Sequence, residues 1–263
     1  MSAGLALVTG ASAGIGREFC EQLAARGHAL LVVARDRARL EELGRELGAR
    51  HRIGVEPLVA DLSREDDMTR VAERIVAAEP TLLVNNAGFG TTGTLARTDP
   101  ERQAEMVRLH TLAPVRLTLA ALPGLLRRNA GGVINVSSVA GFAVTPGSVT
   151  YGATKAFLTA WTEGLAVELR GTRVRAQALC PGFTHSEFHQ RMGTRSGRAP
   201  AFMWLSAREV VAASLRALDR GRPTVCVPGW HYRAIVTVLR LMPRGLVGRM
   251  ADARRRSSSP EPV

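Results

Sequence analysis

Short apolar runs alternate with segments of helical period along almost the whole chain, and this rhythm limits the fold more than any other feature. Leu5–Thr9 leads through a glycine-rich turn into a helix near 15–26. Ala29–Ala34 precedes a helix over 37–47, where Leu40, Leu43 and Leu47 recur at helical spacing. A strand at 55–60 is followed by a helix reaching about Ala78, with Ser63 expected as its N-cap and Asp66 at its third position. Leu82–Asn85 and 133–136 read as strands around a long helix starting near Pro100. A helix at 151–170, a strand at 173–179, a helix at 207–219 and a strand at 224–227 complete the series. The strands are continuously apolar rather than alternating, as in parallel sheets covered on both faces. The expected fold class is α/β, a doubly wound parallel sheet in one domain over residues 1–230. Residues 231–252 form an extension, and the polar tail 253–263 is expected to be disordered.

Composition removes several classes of function. The net charge of +12 invites a nucleic-acid reading, but the basic residues are scattered and no aromatic-interleaved basic stretch is present. No nucleic-acid partner is expected. The longest apolar run, Ala29–Ala34, has six residues, against roughly 20 for a membrane span. A strand begins almost at the N-terminus, without the charged and apolar regions of a signal peptide. Cys20, Cys180 and Cys226 have neither disulfide-framework nor metal-ligand spacing, which fits a reducing, cytoplasmic setting. No metal is expected. His185 and His189 share helical spacing but have no third ligand.

The turn after the first strand reads Thr9-Gly10-Ala11-Ser12-Ala13-Gly14-Ile15-Gly16. Glycines there let the backbone approach a phosphate, and the following helix points its free N–H groups at that anion. Gly10, Ser12, Ala13, Gly14, Ile15 and Gly16 are therefore candidate nucleotide contacts. The second strand ends at Arg35, where an arginine suits a ribose 2′-phosphate and an acid would suit a 2′-hydroxyl. Asp36 follows immediately, yet the reading favours NADP over NAD. At the third strand's end, Asp61 either bonds an adenine amino group, beside Leu62, or only begins the next helix. At the fourth strand's end, Asn86, Ala87 and Gly88 are small or amide-bearing residues under which a cofactor ribose can pass.

The one lysine of the chain, Lys155, lies four residues after Tyr151, so the two share a helix face. A nearby ammonium stabilises a phenolate and is expected to pull the tyrosine pKa towards working pH. Ser138, thirteen residues before Tyr151 at a strand end, can hold a carbonyl oxygen. These residues equip a site for hydride transfer to a carbonyl.

Together, the glycine turn, Asn85-Asn86-Ala87-Gly88, Ser138, Tyr151-Gly152-Ala153-Thr154-Lys155 and Pro181-Gly182 resemble the short-chain dehydrogenase/reductase family in order and spacing over roughly residues 4–230. The resemblance implies a seven-stranded Rossmann sheet and an oxidoreductase joining NADP(H) to a carbonyl or secondary alcohol. In it, Ser138 polarises the carbonyl, Tyr151 is general acid/base, and Lys155 lowers the tyrosine pKa and bonds the nicotinamide ribose. Pro181, Gly182 and Thr184 hold the carboxamide. It also implies a homodimer or homotetramer built on the helices near 101–122 and 151–170.

One position departs from the family pattern. His110 stands where the family places a catalytic asparagine. Pro114, four residues on, cannot donate to the His110 carbonyl, so the expectation is that His110 keeps the asparagine's backbone role in a proton relay to the lysine. Alternatively it titrates and adds pH dependence near 6.5, or it is an idle helix histidine. The resemblance implies a lid over the substrate between Thr184 and Ser206, where His185, Phe188, His189, Met192, Phe202, Met203 and Trp204 suggest an apolar small-molecule substrate, with 88–93 and Phe142-Ala143-Val144 as the other walls. The basic, apolar stretch 230–250 packs on the domain or a partner, or touches an anionic membrane surface. Two other readings stay open: a catalytically silent dinucleotide-binding regulator, and a peripheral membrane reductase of lipid-like ketones.

Overall fold

The computed structural model describes residues 3–144, 146–187, 200–243, 245 and 249. The chain runs β1 (Leu5–Thr9), α1 (Gly14–Ala25), β2 (Ala29–Ala34), α2 (Arg37–His51), β3 (Val55–Val59), α3 (Glu65–Ala78), β4 (Leu82–Asn85), α4 (Pro100–Val107), a π-helical turn (Arg108–Leu112), α5 (Ala113–Arg128), β5 (Gly132–Val136), α6 (Val149–Glu168), β6 (Arg175–Leu179), β7 (Thr184–His185), β8 (Leu205–Ser206), α7 (Ala207–Arg220), β9 (Val225–Cys226) and α8 (Trp230–Leu241). Seven parallel strands form one sheet in the order β3-β2-β1-β4-β5-β6-β9, and β7 pairs with β8 apart from it.

Neighbouring residues of a strand face opposite layers. Val8, Val32 and Val84 join Phe19, Leu23, Leu40 and Leu215 on one side. Leu7, Val33 and Leu83 join Ile75, Leu117, Leu125 and Leu165 on the other. Both faces are dry, which explains the continuous apolar runs.

The start of α3 differs from expectation. The helix begins at Glu65 with Arg64 at the N-cap. Ser63 is not the cap, because its N–H and hydroxyl both donate to Asp61 Oδ1, at 3.0 and 2.7 Å. Glu65, Asp66 and Asp67 then face the positive end of the helix dipole.

The helical run Pro100–Arg128 is long and apolar enough to cross a bilayer by length and composition. Its buried side, with Met106, Leu117, Ala121 and Leu125, lies in this protein's own core. The sheet order reverses between β1 and β4, and the crevice at their carboxyl ends is where open α/β sheets bind ligands.

Candidate active site

At that crevice two strand ends are clasped together. Thr9 Oγ1 accepts the Asn86 and Ala87 N–H groups, at 2.9 and 3.0 Å. The Asn86 amide returns a bond to Thr9 O at 2.9 Å and another to Gly10 O at 3.2 Å. Gly10 and Gly14 have φ of +65° and +55°, in the left-handed region that favours glycine. Gly16 is required for another reason: a Cβ there would overlap Gly10 O and Asn86 Nδ2. Ala13 caps α1 in extended conformation, with no side-chain hydrogen bond, and the first turn holds no acid. The first amides of α1 thus face a glycine-lined cradle, while Ser12, Ala13 and Ile15 remain partly exposed beside it. These features fit a dinucleotide pyrophosphate.

Arg35 is exposed at the end of β2, and its guanidinium lies 3.7 Å from Asp61 Oδ2. Asp36 faces α2 instead, accepting the Arg39 N–H at 3.1 Å as its N-cap. Asp36 is therefore occupied in capping. Asp61 is largely engaged as well, by Ser63 and Arg35, and Leu62 is buried in the core.

Ser138 lies two residues past β5 and caps the 3₁₀ turn Val139–Phe142, its Oγ accepting the Ala140 N–H at 3.2 Å. A Cβ on Gly141 would lie 2.9 Å from Lys155 C and Ala156 N, so the missing side chain lets this turn rest on α6. The approach brings Ser138 into hydrogen bond with the Tyr151 hydroxyl. Burial pushes the Tyr151 phenol up to about 12, against the lowering effect of the Ser138 bond. Burial pulls Lys155 down to about 8. The Lys155 ammonium donates to Val136 O at 2.8 Å and sits 5.8 Å from the Tyr151 ring centroid. The expected acidification of the phenol by lysine is absent here. The ammonium is turned onto the strand carbonyl, and desolvation governs the tyrosine, which is held as the protonated phenol.

His110 is fully buried. Its Nε2 accepts the Phe89 N–H at 3.1 Å, so Nδ1 carries the proton and donates to Thr154 Oγ1 at 3.0 Å. Thr154 in turn donates to Tyr151 O at 2.9 Å. The ring lies edge-on to Tyr151, with centroids 5.8 Å apart. Desolvation, then the Lys155 charge, holds the imidazole well below its ordinary pKa. Burial therefore keeps the His110 imidazole neutral, bonded to Phe89 and Thr154 beside Tyr151. The helix around it widens into the π turn, where the Ala113 N–H donates to Arg108 O, just before Pro114.

A model of the family described as short chain dehydrogenase matches residues 4–196. The chain belongs to this family. An uncharacterized oxidoreductase of Myxococcus xanthus is 33% identical over 260 residues, covering 97% of this chain and 98% of that protein. Among solved structures, a short-chain dehydrogenase from Sphingobium yanoikuyae in complex with NADPH superposes with a TM-score of 0.84 at 35% identity, covering 93% of this chain and 95% of that one. The bulky-bulky ketone specific alcohol dehydrogenase from Comamonas testosteroni gives 0.78 at 30% identity, covering 100% and 96%.

In this short-chain dehydrogenase two residues the motifs did not single out meet the segment after β6 or belong to it. Thr184, expected to face the carboxamide, is buried, and its hydroxyl donates back to Gly182 O at 3.0 Å. The hydroxyl residue facing the cradle is Ser186, whose Cβ lies 3.0 Å from where a Gly14 Cβ would be. Within β7 the buried Thr184 points inward and the next residue, His185, is exposed. The second residue is Tyr232 on α8, whose ring fills the space a Gly182 Cβ would need. His185 stacks on Trp204, with centroids 4.9 Å apart. Phe188, His189 and Met192, and with them the His185–His189 pair, lie outside the described residues. Among the described residues no group of three or more His, Cys, Asp or Glu side chains is placed to hold a metal.

Proposed function

We propose that this oxidoreductase is an NADP(H)-dependent reductase of apolar carbonyl compounds that also oxidises the corresponding alcohols. The observation that carries this reading is the Ser138–Tyr151 hydroxyl pair above the buried Lys155, at the end of the sheet that also bears the glycine cradle. When bound, the nicotinamide supplies the hydride. The protein's own groups do the rest. A carbonyl oxygen is received by the two hydroxyls, and Ser138 donates a hydrogen bond that polarises it. Tyr151, protonated across the neutral range, transfers its proton as negative charge grows on that oxygen. The tyrosinate left behind is stabilised by the Lys155 ammonium, once this exchanges its bond to Val136 O for the new anion. Half-buried Phe89 points the same way on the substrate side: the Arg102 guanidinium lies 3.7 Å over its ring, fixing an apolar wall beside His110.

The pH dependence follows from these states. Lys155 carries its charge below about 8 and loses it above. Carbonyl reduction is expected to hold level through neutral pH and fall above about 8, with no inflection near 6.5. Because His110 stays neutral, His110→Asn keeps the same profile shape; steady-state kcat/KM from pH 5.5 to 9.5 checks both. Lys155 also binds fewer protons folded than unfolded between about 8 and its ordinary 10.5, so it costs stability at neutral pH and this cost shrinks as pH rises through that window.

NADP preference is supported by Arg35 and by the capping role of Asp36. Arg35→Ala is expected to weaken NADPH binding by about 10–100-fold, the value of a lost charge-assisted contact, and to leave NADH binding unchanged. Fluorescence titration of both nucleotides tests it, and equal loss for both would overturn the assignment. Exposed Leu119 and Leu126 on α5, with Phe157 and Val167 on α6, support association of copies through these helices. On α8, exposed Trp230, Val238 and Leu241 keep a membrane-surface contact among the proposals.

A further inference from the structure

Helix α8 reaches the Ser138 turn by two separate routes. The first runs through Tyr232, which is buried. Its hydroxyl donates to Met203 O at 2.7 Å and accepts the Phe183 N–H at 2.8 Å. Its ring sits against Gly182, where any Cβ would overlap it. One residue earlier, Pro181 O accepts the Val139 N–H at 3.0 Å, and Val139 follows Ser138 directly. The second route runs through Arg240, two helical turns further along α8. Its guanidinium stands 4.9 Å over the Phe142 ring, in the 3₁₀ turn that Ser138 caps, and pairs with Glu163 on α6 at 3.0 Å. Tyr232 therefore holds the start of the turn through Pro181, and Arg240 holds its end through Phe142. The same turn rests on the Lys155–Ala156 backbone at Gly141.

We propose that α8 belongs to the catalytic architecture, with Tyr232 and Arg240 as positioning residues that set Ser138 Oγ against the Tyr151 hydroxyl. Ser138 has no rigid element of its own beyond the end of β5. Its turn is a single 3₁₀ turn whose position depends on what grips it from outside. The inference rests on the reading above for its kinetic consequence, though not for its geometry.

The chain contains only two tyrosines, Tyr151 and Tyr232. Protein labelled with ¹³C at tyrosine Cζ therefore gives two resonances, and Tyr232→Phe removes one and identifies the other as Tyr151. Ser138→Ala marks where the Tyr151 signal moves when its hydroxyl partner is lost. Tyr232→Phe keeps the ring on Gly182 and removes both hydrogen bonds, while Arg240→Gln releases Phe142. Both are expected to move the Tyr151 resonance towards the Ser138→Ala position, and to lower kcat about tenfold with NADPH affinity unchanged. Glu163→Gln breaks the surface ion pair but leaves Arg240 over Phe142, and is expected to leave signal and rate alone. In kinetics, Ser138→Ala/Tyr232→Phe is expected to be no slower than Ser138→Ala, since the serine to be positioned is gone. A Tyr151 resonance at its wild-type position in both variants, or rate losses that simply multiply in the double mutant, would overturn the proposal. Wild-type protein without carbonyl reduction would count against the proposed reaction instead, and the resonance positions would still decide the placement of Ser138.

Discussion

Tyr151→Phe is expected to remove carbonyl reduction while leaving the nucleotide site intact. The phenol is the one acid placed beside Ser138 and held protonated at neutral pH among the described residues of the site, its pKa raised to about 12 by burial. Phenylalanine keeps the ring, its edge contact with His110 and its place on α6. It loses the hydroxyl that meets Ser138 and delivers the proton. A positioned general acid contributes about 10²–10⁴-fold, so kcat is expected to drop by that factor. The glycine cradle and the Thr9–Asn86 clasp are formed on β1, α1 and β4, without Tyr151. NADPH titration by fluorescence, beside NADPH oxidation with a ketone, separates the two effects; a parallel loss of binding would show a collapsed site rather than a missing acid.

Gly16→Ala is expected to have the largest effect on the cradle. The added methyl meets Gly10 O, a backbone atom, and the Asn86 amide, which is already committed to Thr9 O and Gly10 O. Neither neighbour can withdraw without opening the clasp. Overpacking of this kind costs about 1–3 kcal/mol, and the displaced turn no longer presents the first amides of α1, so NADPH affinity is expected to fall by more than about tenfold. Gly164→Ala serves as the control: nothing lies within 4 Å of its Cβ position on α6, and it is expected to be neutral or to stabilise by up to about 1 kcal/mol. Thermal melting and nucleotide titration read both variants.

The strands and the glycine turn could be read from sequence because the sheet is dry on both faces and periodicity reports burial directly. Tyr151 and Lys155 could be placed on one helix face because spacing fixes it. Where the ammonium then points could not be read: Val136 O competes for it across 19 residues, a tertiary contact with no local signature. Ser63 has the chemistry of a cap, yet Asp61 two residues earlier is the stronger partner for its hydroxyl. Thr184 and Ser186 are alike in composition, and only tertiary contacts, Thr184 with Gly182 O and Ser186 with Gly14, tell the interior residue from the one at the cradle. His110 was visible as a departure, but its bonds to Phe89 and Thr154 span 21 and 44 residues. Tyr232 gave no signal at all, since its role is a contact with Phe183, 49 residues away.

The most direct measurement of the central claim is a stoichiometric assay of purified protein with NADPH and a panel of bulky, apolar ketones, following cofactor absorbance and alcohol product together. One alcohol formed per NADPH consumed, with neither in Tyr151→Phe, is the predicted result. Tight NADPH binding with no cofactor oxidation across the panel, in a protein whose Ser138 and Tyr151 hydroxyls remain paired, would contradict it and identify a nucleotide-binding protein without turnover.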